Sequence, residues 1–169
     1  MKNIKSFLAI FGFLITFSFA AQAQAVTLTS LDGDKINVTG QTGKVVVLAV
    51  GATWLPLSKD QAIVTNKLAK KYAGRDVVIY FVSTDSVLTK SKNFASAEEI
   101  RAFGTKNKLS VKILRDSDGA VTLGKYDIDQ VPSFVILNKN GDRAYEPFGG
   151  IDPKYDITIS ISKAIDKLL

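Results

Sequence analysis

The sequence predicts an α/β fold with a central mixed sheet flanked by helices, and three observations carry that expectation. Two unbroken runs, Val45-Val46-Val47-Leu48-Ala49-Val50 and Val77-Val78-Ile79-Tyr80-Phe81-Val82, have the β-rich composition of strands covered on both faces. Residues 58–73, between them, repeat apolar side chains at helical spacing, giving a strand–helix–strand unit whose crossover should be right-handed. Hairpin patterns stand on either side of this unit: one precedes the first run, and another occupies residues 133–148.

The first hairpin spans residues 26–38. Thr27 and Leu28 lead into Asp32-Gly33-Asp34, and Lys35-Ile36-Asn37-Val38 returns, forming an N-terminal hairpin extension. Gly40 and Gly43 mark the turn into the first buried strand. In the helix that follows, Val64, Leu68 and Tyr72 recur every four residues and Ile63 is expected to widen the inward stripe. Lys59, Lys67, Lys70 and Lys71 cover the outer face, and Gly74 fits the C′ position. Residues 83–93 are polar and read as a loop. Ser96 and Glu99 have the spacing of a capping box for a helix through about Lys108, with Ile100 and Phe103 facing inward. A short strand at 111–114, a turn at Asp116-Ser117-Asp118-Gly119 and a brief helix toward Tyr126 complete the middle of the chain.

Residues 133–137 read as a strand, Asn138-Lys139-Asn140-Gly141 as a tight turn, and 143–148 as the paired return strand, broken by Gly149-Gly150. The last segment carries both periods. Ile157, Ile159 and Ile161 alternate as in a strand, whereas Ile157, Ile161, Ala164, Ile165 and Leu168 repeat as in a helix. Asp152 at N-cap and Pro153 at N1 favour the helix.

The first residues have the layout of an export signal. Lys2 and Lys5 precede an apolar run of 13 residues, Phe7 to Phe19, followed by Ala21-Gln22-Ala23 and Ala23-Gln24-Ala25. That run is short of the roughly 20 residues a membrane-crossing helix needs. We therefore expect a signal peptide at residues 1–25, cut after Ala23 or Ala25, and one domain over 26–169, with a periplasmic or secreted location and no membrane span after cleavage. The leader holds two lysines and no acid, so the formal charge falls from +6 to +4 on cleavage. The remaining lysines are scattered without aromatic platforms between them, which argues against nucleic-acid binding.

The chain has no cysteine and no histidine. Disulfide stapling and thiol chemistry are therefore excluded, together with serine–histidine and cysteine–histidine hydrolysis and zinc sites built on histidine or thiolate. Asp116-x-Asp118 lacks the bidentate acid that a calcium loop requires at its far end. No metal and no cofactor is expected.

Three motifs then stand in order. Gly43-Lys44-Val45-Val46-Val47-Leu48 resembles the lead-in to the active-site strand of exported thioredoxins. Ala52-Thr53-Trp54-Leu55-Pro56-Leu57-Ser58 resembles their redox loop. Val131-Pro132-Ser133-Phe134-Val135-Ile136-Leu137 resembles the segment whose cis-proline faces that loop. Together they are similar to the TlpA-like thioredoxins of the wider redoxin group, and the resemblance implies a thioredoxin-like fold. It also implies that Leu55 and Ser58 occupy the positions of the two catalytic cysteines. A buried carboxylate of the family would fall on or near Ala49, or on Gln61, and both are uncharged.

Leucine offers no nucleophile and a serine hydroxyl is far less acidic than a thiol, so the resemblance implies a redox-silent relative and no catalytic residue. Ser58-Lys59-Asp60-Gln61 itself reads as a helix-opening capping box. The remaining candidates are Trp54, Leu55, Pro56, Leu57, Ser58, Val131 and Pro132. In the family these positions line a groove that pairs with an extended peptide through backbone, which needs no sulfur. Leu55 and Leu57 have two outcomes open: they line that groove, or they turn inward and close it. The expected function is a non-catalytic protein- or peptide-binding module whose partner is an exported protein, a peptide or a second copy. The alternative is a divergent thiol-disulfide oxidoreductase or peroxidase working with an external thiol.

Overall fold

The structure, a computed structural model, describes residues 25–152 and 154–169; the leader pattern, apart from Ala25, and Pro153 lie outside them. Six strands form one mixed sheet: β1 (Thr27–Ser30), β2 (Lys35–Asn37), β3 (Val45–Gly51), β4 (Val77–Ser83), β5 (Lys112–Arg115) and β6 (Ser133–Leu137). Their spatial order is β2-β1-β5-β4-β3-β6. The central pairs β3/β4 and β4/β5 are parallel, and β6, β1 and β2 join antiparallel. Among the described residues four α-helices accompany the sheet: α1 (Ser58–Lys71), α2 (Ala97–Lys106), α3 (Thr122–Lys125) and α4 (Ile157–Asp166).

Both faces of the sheet are covered, as the continuous apolar runs require. Val45, Val47 and Ala49 of β3, Phe81 of β4 and Phe134 and Ile136 of β6 pack against Val64, Leu68 and Tyr72 of the α1 region and Ile161 and Ile165 of α4. The alternate set, Val46, Leu48, Val50, Val82, Val135 and Leu137, lies under Val26, Val38, Tyr126 and Ile128. The period-two alternation of strand side chains divides one run of sequence between two cores.

The Ser96–Glu99 capping box forms with both reciprocal bonds. Other local expectations are corrected. Ile63 is 45% exposed and does not widen the inward stripe of α1; Ser58, Gln61 and Thr65 share that buried face instead, each side chain hydrogen-bonded. Tyr72 is the C-cap of α1, so Gly74, with φ +77°, stands one residue beyond the expected C′ position.

Residues 143–148 do not form a strand. They touch β6 only at the Phe134–Phe148 and Leu137–Arg143 bridges. Between and including those bridges, six residues (143–148) oppose four of β6 (134–137), and Pro147 has no amide to give. Asp152 does not cap the last helix either. Its carboxylate accepts from Lys154 N–H in a turn, and Asp156 caps α4 by accepting from Thr158 N–H.

Tyr126 is 2% exposed and its hydroxyl has no hydrogen-bond partner among the described residues. Burial pushes its pKa up to about 12. A folded-state value above the unfolded one means stability that is present below about pH 10 and lost as pH rises toward 12. Removing the orphan hydroxyl by Tyr126→Phe is expected to raise stability by about 1 kcal/mol at neutral pH. It should also flatten the alkaline limb. Urea melts at pH 7 and pH 10.5 check both.

Candidate functional site

The strand β3 ends at Gly51, and the chain then makes two successive turns before α1. Leu55 N–H donates to Ala52 O at 3.2 Å, and Ser58 N–H donates to Leu55 O at 3.1 Å. The Ser58 hydroxyl donates to the same Ala52 carbonyl at 2.6 Å and is fully buried. Ser58 therefore closes the loop on itself and does not cap the helix. The N-cap is Leu57, which has no side chain able to serve.

Gln61, the other half of the expected capping box, also points inward. Its Nε2 donates to Val50 O on β3 and to Ser133 O at the start of β6, each at 3.0 Å. Those two buried carbonyls require a donor, and a capping Gln61 would have left both without its amide. Gly51 leaves room for this bridge. A Cβ there would collide with Gln61 Oε1 and stand 3.3 Å from Pro132 Cβ.

A second clamp holds the loop from the other side, through a residue that the motifs did not point to. Asp85 is fully buried just beyond β4. Its carboxylate accepts from Thr53 N–H and from the Thr53 hydroxyl, both at 2.9 Å, and from the Ser83 hydroxyl at 2.6 Å. Three donors satisfy a buried carboxyl group that has no ion-pair partner among the described residues. The signal for it was available: Ser83-Thr84-Asp85 closes a buried parallel strand, at the carboxyl end where open α/β sheets build their sites.

Between these clamps the loop presents Trp54, 56% exposed, and the exposed Pro56. Leu55 and Leu57 are half-buried, so they neither stand clear of the surface nor fully close it. Val131 is half-buried, Pro132 is buried, and the peptide between them is cis. The structure thus gathers Ser58, Gln61 and Pro132 around the end of β3 and leaves Trp54 and Pro56 outward. The Ser58 hydroxyl is committed to a carbonyl, and the Asp85 carboxylate is committed to three donors.

The AhpC/TSA family pattern matches residues 19–144, three quarters of the chain and all six strands. The chain belongs to the AhpC/TSA family. Among relatives, the thioredoxin-like protein YneN of Bacillus subtilis is 30% identical over 124 residues, covering 71% of this chain and 65% of the relative. The thiol-disulfide oxidoreductase ResA of Bacillus thuringiensis is 25% identical over 120 residues, covering 71% and 64%. The matched part is just under two thirds of either relative's length.

Among solved structures, a thioredoxin-like protein from Aeropyrum pernix superposes with a TM-score of 0.67 at 20% identity, over 85% of this chain and 89% of that one. A secreted disulfide oxidoreductase of Mycobacterium tuberculosis gives 0.63 at 21% identity, over 85% and 96%. These likenesses establish the thioredoxin-like fold read from the three motifs. This AhpC/TSA-family chain carries that fold with no cysteine anywhere in its sequence.

Proposed function

We propose that the chain is an exported, redox-silent member of its family that recognises a protein or peptide through the Trp54 loop. The observation that carries this reading is the contrast within seven residues. Thr53 and Ser58 are fixed from below by Asp85 and Ala52, while the Trp54 indole between them is left in solvent. A tryptophan held out on a fixed loop is a low-entropy contact, the kind that dominates protein interfaces. Leu55, Pro56 and Val131 extend the apolar surface around it. Export rests on the leader pattern at residues 1–25. The secreted M. tuberculosis oxidoreductase of the same fold accords with it.

The test is capture in the native compartment. Chain isolated with its cross-linked partner from the producing cell's envelope fraction is expected to lose that partner on Trp54→Ala and on Leu55→Asp. Both variants should keep the wild-type circular dichroism spectrum. The same protein is expected to leave insulin reduction by dithiothreitol at its uncatalysed rate. Partner retention in both loop variants would remove the binding site from this loop. Catalysed insulin reduction would favour the enzyme reading with an external thiol.

A further inference from the structure

We propose that the outer surface shared by α1 and α4 seats the chain on an anionic lipid bilayer. The inference is independent of the Trp54 reading and rests on charge and exposure elsewhere in the fold. Residues 58–76 and 152–169 hold eight lysines and arginines against five aspartates, most of the basic excess of the domain. Asp156 is already held by Lys67 at 3.3 Å, and Asp166 by Lys71 and Arg75 at 3.6 and 3.2 Å. Lys59, Lys70, Lys163 and Lys167 have no carboxylate within ion-pair distance among the described residues.

These cations surround apolar side chains that the core does not use. α4 turns Ile161, Ala164 and Ile165 inward, yet Ile159 is 70% exposed and Tyr155, just before the helix, is 76% exposed. Ile63 of α1 adds a third. The surface is continuous. Lys67 lines both a groove of about 620 Å³, shared with Lys71, Ile159, Lys163, Lys167 and Asp166, and a neighbouring hollow where Ile63 and Tyr155 stand beside Lys154 and three aspartates, Asp60, Asp152 and Asp156.

The form of this surface decides between a bilayer and a protein. A partner helix would need an apolar floor into which its own side chains lock. This groove is lined by four lysines and one aspartate, Asp166, and Ile159 stands 70% exposed among them. Separate isoleucines and a tyrosine can enter the acyl boundary of a lipid interface one by one, with lysines reaching phosphates beside them. Each unpaired lysine brought to an anionic membrane strengthens partition about fivefold, so four of them give measurable and reversible binding.

The experiment is co-sedimentation of the full chain with vesicles of phosphatidylglycerol mixed with phosphatidylcholine, and with phosphatidylcholine alone. All variants share the residues before Ala25, so whatever those contribute is common to every measurement. Wild type is expected to pellet with the anionic vesicles and to be released by high salt. Lys163→Glu with Lys167→Glu should weaken partition by at least about tenfold, and Ile159→Ser severalfold. Lys35→Glu with Lys112→Glu, at the distant β1–β2 side, should leave partition near wild type. The proposal fails if neutral vesicles bind equally well, or if the distant pair weakens binding as much as the α4 pair. It fails equally if the chain ignores anionic vesicles yet binds polyglutamate through Lys163 and Lys167, an outcome that would assign the surface to an acidic protein.

Discussion

Leu55→Cys combined with Ser58→Cys is expected to confer disulfide exchange on a chain that has no cysteine of its own. The two positions lie on consecutive turns at the start of α1, Leu55 half-buried and Ser58 fully buried, so the first is the more accessible of the two to a substrate. The helix N-terminus supplies the field that lowers a nearby thiol's pKa. Ser58→Cys replaces a hydroxyl donor by a weaker one at Ala52 O, at a cost of about 1 kcal/mol, small enough for the fold to persist. The double variant should form an intramolecular disulfide with mild oxidant and accelerate insulin reduction by dithiothreitol. Neither single variant should turn over. A folded double variant whose thiols will not join would show that the loop has moved away from redox geometry, so that more than sulfur was lost.

Gln61→Glu is expected to be the most damaging single substitution at the site. The amide spans β3 and β6 by donating to two carbonyls, and it does so in a fully buried position. An ionised carboxylate there would face two acceptors with nothing to donate, a loss of about 3 kcal/mol or more at neutral pH. The neutral acid can still satisfy one carbonyl, so the introduced group would have a folded-state pKa above its unfolded value of about 4.3. Its folded form therefore holds its proton longer. The deficit relative to wild type should be smallest below about pH 4 and grow as pH rises. Urea denaturation at pH 4 and pH 8 measures the difference. A deficit independent of pH would mean that the side chain rotates out to solvent.

The sheet was legible because burial on both faces leaves an uninterrupted signature, as in Val45–Gly51 and Val77–Ser83. Ser96 and Glu99 were legible because a capping box is local. The site was harder to read, and Ser58 shows why. Ser58-Lys59-Asp60-Gln61 satisfies the local rule for a helix start, yet the Ala52, Val50 and Ser133 carbonyls claim both polar side chains from outside the helix. Nothing within four residues announces the Ser133 carbonyl, 72 positions away in sequence. Asp85 was passed over for the complementary reason: its partners Thr53 and Ser83 come together only once β3 and β4 pair. Ile63 kept the helical period of the core face but lies on the lipid-seating surface proposed above, where a periodicity argument alone cannot separate inward from outward use.

The broken segment opposite β6 has a consequence for life at high concentration. A full return strand would itself become an outermost rail of free amides and carbonyls, open to the same segment of a neighbouring molecule. Here the flank touches β6 at two bridges, bows away over Pro147 and presents no straight run to copy. At the opposite margin, β2 is three residues long and bears Lys35. With no cysteine to cross-link it, the molecule has blunted borders, rather than covalent restraint, as its means of disfavouring strand pairing between copies.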